Sequence, residues 1–129
     1  SMKTETHEEA FETHKRAIFS WGLGIEGIDK SQRIVGLHAA RGILELLSLY
    51  LHRKKIVRAG FQLNHRWFKS KKVFNKLPDF ENKNEIVTKL IELENLCEVL
   101  TYGKKISVET TQKAIKLFTE LEEILRKMP

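Results

Sequence analysis

Wherever apolar residues recur regularly in this chain, they recur at helical spacing. Ile86, Leu90, Leu93, Cys97 and Leu100 follow a 4-3-4-3 rhythm that places them on one face of a helix. Leu117, Leu121, Ile124 and Met128 repeat it near the end, with Ile115, Phe118 and Leu125 widening the stripe. No stretch alternates with period two for long enough to make a strand. Such stripes are buried only by packing helix on helix, so the expected class is all-α, an up-and-down bundle of four to five helices.

Capping and breaking residues divide the chain further. Thr6-His7-Glu8-Glu9 reads as a capping box opening a first helix that runs to about Ser20. Gly22, Gly24 and Gly27 should bend or break it. Asp29, followed by Gln32, is expected to cap a second helix reaching about Lys54, whose body from Leu37 to Leu51 is rich in Leu and Ala. Ala59-Gly60 marks the start of a third, ended by Leu77-Pro78 because the residue before proline avoids the α region. Asn82 or Asn84 begins a fourth, which Gly103 stops in the left-handed conformation. Ser107 caps the last, which runs to about Lys127.

No linker, repeat or low-complexity tract interrupts this order, so a single domain is expected over residues 3–129, with Ser1-Met2 reading as a tag remnant. A chain of 129 residues, 41% hydrophobic and 31% charged, can bury one core and is not composed like a disordered one. No apolar run approaches the roughly 20 residues that cross a bilayer, and no signal peptide opens the chain, so no membrane partner is expected. The one cysteine, Cys97, sits among Leu96, Val99 and Leu100 and reads as a core residue of a cytoplasmic protein.

The net charge of +6 is unevenly spread. Nine of the 23 Lys and Arg fall between Arg53 and Lys76, where there is no Asp or Glu, so the rest of the chain is net acidic. Advancing about 100° per residue, Leu63, Trp67, Ser70, Phe74 and Leu77 would share one side of the third helix. His65, Lys69, Lys72 and Lys76 would share the other, flanked by Arg66 and Lys71 and approached from Arg58. Such a ridge either tracks a phosphate backbone or is a solvated helix face.

A second candidate lies on the second helix, where His38, Arg41, Glu45, Ser48 and His52 fall along one line opposite Ala40, Ile43, Leu47 and Tyr50. That stripe is either an outer face or a polar groove offering a general acid or a phosphate ligand. The histidines form no HExxH-like pair, so neither metal nor cofactor is expected. Gly22-x-Gly24-x-x-Gly27 matches the dinucleotide fingerprint literally, but no strand precedes it, and it reads as a joint between helices. There is no G-x-S-x-G and no P-loop.

The stretches Leu37-His38-Ala39-Ala40-Arg41-Gly42-Ile43-Leu44-Glu45-Leu46-Leu47, Leu93-Glu94-Asn95-Leu96 and Leu100-Thr101-Tyr102-Gly103 resemble those of HEPN domains, small helical bundles of prokaryotic nucleotide-associated and toxin–antitoxin proteins. The resemblance implies the bundle fold and dimerisation. Members of that family that cleave RNA carry an R-x4-6-H motif on a late helix. The corresponding segment here reads Glu94-Asn95 followed by Tyr102, with neither Arg nor His, which argues against nuclease activity at that position. The same spacing occurs elsewhere at Arg33–His38 and at Arg58–His65, of which the latter opens onto the cationic ridge. The expectation is a non-catalytic module that engages RNA or another polyanion. The alternatives are an antitoxin-like or homodimeric protein–protein module, and an enzyme: a metal-independent ribonuclease using Arg58 and His65, or a groove lined by His38, Arg41 and His52.

Overall fold

A computed structural model describes residues 2–129, with side chains from Thr4 onward. Ser1 lies outside them, and Met2 is the first residue of α1. Four α-helices make the frame: α1 (Met2–Arg16), α2 (Gln32–Arg53), α3 (Lys83–Tyr102) and α4 (Val108–Lys127). No strand occurs among the described residues. The pairings His14–His38 and His7–Glu45 set α1 antiparallel to α2, and Lys113–Glu92 sets α4 antiparallel to α3. The chain is therefore an up-and-down helical bundle.

The most apolar helix, α2, occupies the centre and packs against α1, α3 and α4. It is the one described helix long and apolar enough to cross a membrane, which the sequence reading overlooked, yet most of that stretch is buried inside the bundle. Core position accounts for its composition. Two glycines let its neighbours come close. A methyl group at Gly36 would sit 2.8 Å from the Thr101 nitrogen and 2.9 Å from Leu100 Cβ, and one at Gly42 would sit 3.2 Å from the Phe118 ring. Gly36→Ala is thus expected to push α3 off α2 and cost about 2 kcal/mol. Urea unfolding measures this, and an unshifted midpoint would show that the helices do not meet there.

The α3 and α4 stripes lie where periodicity puts them. Ile86, Leu90, Leu93, Cys97, Leu100, Leu117, Phe118, Leu121 and Leu125 are buried, and Ile115, Ile124 and Met128 pack against them. Ser107 caps α4, its hydroxyl accepting from the Glu109 nitrogen at 3.2 Å.

Several local expectations need correction. α1 begins at Met2, so Thr6 lies inside it and is not the residue that opens it. The glycines do not break the first helix at Ser20: the backbone continues as a π-helical segment, Ala17–Glu26, and ends only at Gly27. There the nitrogen donates five residues back to Gly22 O at 2.8 Å, and φ is +84°. Asp29 sits exposed in a short 3-10 turn (Ile28–Lys30), while Ser31 precedes α2 and turns its hydroxyl back to Ile28 O at 3.2 Å. Gly103 is extended (φ −81°, ψ 174°), not left-handed. Glycine is used there for space, since any Cβ would press on Val99 O.

The largest departure is the third helix, which is absent. Residues 54–82 form an irregular strap along α3, with two 3-10 turns at His65–Lys69 and Lys71–Asn75. Asn64 and Ser70 explain it. Both are extended, and each side chain accepts from a backbone nitrogen two residues on, Arg66 and Lys72 respectively. Side chains that cap their own turns compete with a continuing helix. The register changes accordingly: Phe68, Val73 and Leu77 are the buried anchors, whereas Ser70 is exposed and Trp67 and Phe74 only half-buried.

A candidate nucleic-acid interface

The strap is fastened to α3 by side chains. Lys83 donates to Phe74 O (3.2 Å) and Leu77 O (3.0 Å), and Asn95 to Lys69 O (3.3 Å). Glu94 accepts from His65 Nδ1 at 3.0 Å, and Glu98 pairs with Lys69 at 3.2 Å. These ties turn the basic stretch outward. Arg53, Lys54, Lys55, Arg58, Arg66, Lys69, Lys71, Lys72 and Lys76 are all exposed. Of these nine, only Lys69 forms an ion pair among the described residues, and the Lys76 ammonium lies 5.3 Å from the centre of the Trp67 ring. The cations are exposed, but they are spread over the end of α2, the loop after it and two tight turns, not along one helix face, and His65 is half-buried instead of standing among them.

A cleft of about 340 Å³ opens between the strap, α2 and α3, lined among others by Arg41, His65, Arg66, Lys69, Glu94 and Tyr102. Glu94 is buried, and its one hydrogen-bonded side-chain partner among the described residues is His65. The carboxylate accepts, so His65 carries its proton on Nδ1, which leaves Nε2 as the acceptor for the Arg41 guanidinium at 3.5 Å. Arg41, His65 and Glu94 thus form a linked row from the mouth of the cleft to its buried wall. Tyr102 stands 76% exposed at the same mouth, an aromatic face beside Arg66 and Lys69.

The sequence-derived Arg–His pairs do not meet. His65 bonds to Glu94 and Arg41, not to Arg58, whose side chain is simply exposed. Arg33 donates to Thr101 O at 2.8 Å, and His38 faces His14. Sequence reasoning undervalued Glu94, seen only as a departure from a motif, and placed Gln32 only in a helix cap. That side chain donates to Lys104 O (3.0 Å) and accepts from the Ile106 nitrogen (3.0 Å), fixing the turn between α3 and α4.

The polar stripe of α2 is neither a solvated face nor a sealed groove. His38, Arg41, Glu45 and His52 are half-buried, and Ser48 is buried. His7 Nδ1 donates to Glu45 at 2.6 Å, His14 meets His38 at 2.9 Å, and the His52 Nε2–H donates to Phe61 O at 3.1 Å. The stripe is therefore shared out: His38 and Glu45 to α1, His52 to the strap and Arg41 to the cleft.

Comparison with family models, curated proteins and solved structures finds no significant match to this chain. What the surface does must be argued from its chemistry. Gly22, Gly24 and Gly27 lie in and after the π-helical segment with no strand before them, which removes the context a dinucleotide loop needs. No group of three or more His, Cys, Asp or Glu among the described residues is arranged to hold a metal. Cys97 borders the cleft but is buried, and burial pushes its thiol up to about 12. It is expected to resist thiol reagents at pH 8 in the native protein and to react with one equivalent after denaturation. A spectrophotometric thiol titration tests this, and rapid native labelling would contradict the burial.

Proposed function

We propose that this chain is a non-catalytic, HEPN-like binding module that engages single-stranded RNA through the strap and the mouth of the cleft. One observation carries the reading: nine exposed cations on one short segment, eight of them without a carboxylate partner among the described residues. Like charges held together without acidic neighbours repel one another, and a phosphate backbone relieves that repulsion while releasing its own counterions. Tyr102 favours a single strand over a duplex, because an exposed ring beside cations can stack an unpaired base but not one already stacked in a helix. Homodimerisation belongs to the same proposal on the strength of the resemblance to HEPN domains, and a cytoplasmic setting on the strength of the lone, buried Cys97.

A second reading has its own observation. Glu94 orients His65 and Arg41 stands beside its free nitrogen, an arrangement suited to proton transfer next to a bound phosphate. That is the ribonuclease alternative, with Arg41 standing at His65 where the spacing had suggested Arg58. A titration of labelled single-stranded and duplex RNA at 50 and 200 mM salt, with products run on a denaturing gel, separates the readings. The module binds the single strand more tightly, loses affinity steeply with salt and leaves the RNA intact. Cleavage abolished by His65→Ala would make it an enzyme. Absence of binding at low salt would sink both and favour a protein partner.

A further inference from the structure

A different feature lies along the same stripe of α2, where it faces α1. His7 and His14 stand seven residues apart on α1, and His38, Glu45 and His52 stand at the same interval on α2. Because the helices run antiparallel, the two series meet rung by rung. Nδ1 of His14 lies 2.9 Å from Nδ1 of His38, and the next rung joins His7 to Glu45 at 2.6 Å. The His7 ring also stacks on His52 with centroids 5.5 Å apart. We propose that this seam is an acid-sensitive latch, in which protonation of both His14 and His38 drives α1 away from α2.

The chemistry follows from the contact. A 2.9 Å approach of two ring nitrogens requires one to donate and the other to accept, so at least one imidazole is neutral. When both rings are protonated, two donors and two positive charges face one another, and the contact becomes repulsive. The surroundings sharpen this. Burial and the facing His38 hold His14 below the usual histidine range, while Glu45 acts in the other direction and Arg41 adds to the lowering. Burial and the Arg41 cation lower His38 in the same way. Other charged groups nearby are already engaged: Glu45 by His7, and Glu122 of α4 by Lys15 at 2.9 Å. From α4 the seam also meets the Phe118 ring, and from the strap His65 approaches Arg41.

The sign is definite. The unfolded chain binds protons at His14 and His38 more readily than the folded one, so stability rises with pH through this range. The latch is fully closed above about pH 6.5 and weakens as pH falls below it. The His7–Glu45 rung sets a carboxylate against an imidazole and so carries no such repulsion, which places the trigger at the His14–His38 rung. Release of α1 would uncover Phe11, buried and stacked on Phe118 with centroids 5.7 Å apart, and with it the apolar face of α2 and α4.

Amide hydrogen exchange of the full chain at pH 7.5 and 5.0, corrected for intrinsic rates, tests the proposal alongside His14→Gln and His38→Gln. In the wild type, protection of α1 relative to α3 is expected to fall on the order of tenfold at the lower pH. Either glutamine variant should lose clearly less α1 protection at pH 5.0 than the wild type, since only one titrating ring remains and two imidazolium charges can no longer face one another. Equal protection at both pH values, or the same loss in a folded variant, overturns the latch. Ring nitrogen shifts of the wild type are independent of variant folding. His14 and His38 should titrate below the usual histidine range, and joint protonation without loss of α1 protection would refute the mechanism.

Discussion

Reversing two charges on the strap, Lys69→Glu with Lys72→Glu, is expected to weaken single-stranded RNA binding by roughly 30- to 100-fold near 0.1 M salt and to cut the salt slope by about two. Both residues are exposed, so the fold should survive. They differ in what they lose. Lys72 has no acidic partner among the described residues and presents its full charge, whereas Lys69 is partly neutralised by Glu98 at 3.2 Å. Reversal at Lys69 also sets two carboxylates side by side at the mouth of the cleft and repels phosphate from it. The single Lys72→Glu change should therefore flatten the salt dependence with little structural effect, and Lys69→Glu should add the larger loss. Because the contacts are to phosphate, the loss should be uniform across RNA sequences. Fluorescence anisotropy at several salt concentrations measures both quantities, and unchanged affinity in the double variant contradicts the interface.

Phe118→Ala is expected to destabilise the bundle by about 4 kcal/mol, a large share of a small domain's total. The ring is completely buried, and it joins three elements. It stacks in parallel on Phe11 of α1 with centroids 5.7 Å apart, tilts against Phe19 of the π-helical segment at 6.0 Å, and lies over Gly42 of α2. Removing it leaves a cavity bounded by four rigid helical stretches that cannot readily collapse into it. Thermal unfolding should fall by more than 10 °C. A drop of only a few degrees would mean that α1 is not docked on α4 as described.

The bundle was legible where the physics is local. Helical spacing in α3 and α4 reflects burial of one face, and both stripes are buried as read. Ser107 acts within its own turn and could be recognised from sequence. The strap was misread because spacing alone admits a helix through Leu63, Trp67, Phe74 and Leu77. Asn64 and Ser70, each at home in a turn, were the signal that the helix does not form. Gly22 and Gly24 look like breakers, yet the chain stays helical by widening, which no residue preference reveals.

The candidate site was legible as charge and illegible as geometry. Exposure of Arg66, Lys69, Lys72 and Lys76 follows from their side chains, but the partnering of His65 with Glu94 and Arg41 depends on how a strap folds across two helices. Likewise, the sevenfold spacing of His7, His14, His38, Glu45 and His52 is visible in the sequence. That the two series face each other is set by the antiparallel register.

The most direct test of the central claim is the map of backbone amide shifts in the nitrogen-15-labelled chain on adding a short single-stranded RNA. The account predicts salt-sensitive perturbations over residues 53–76 and at Tyr102, with α1 and α4 unmoved. Shifts centred elsewhere, for instance on the exposed Trp21 and Ile25, or no shifts at low salt, would contradict it.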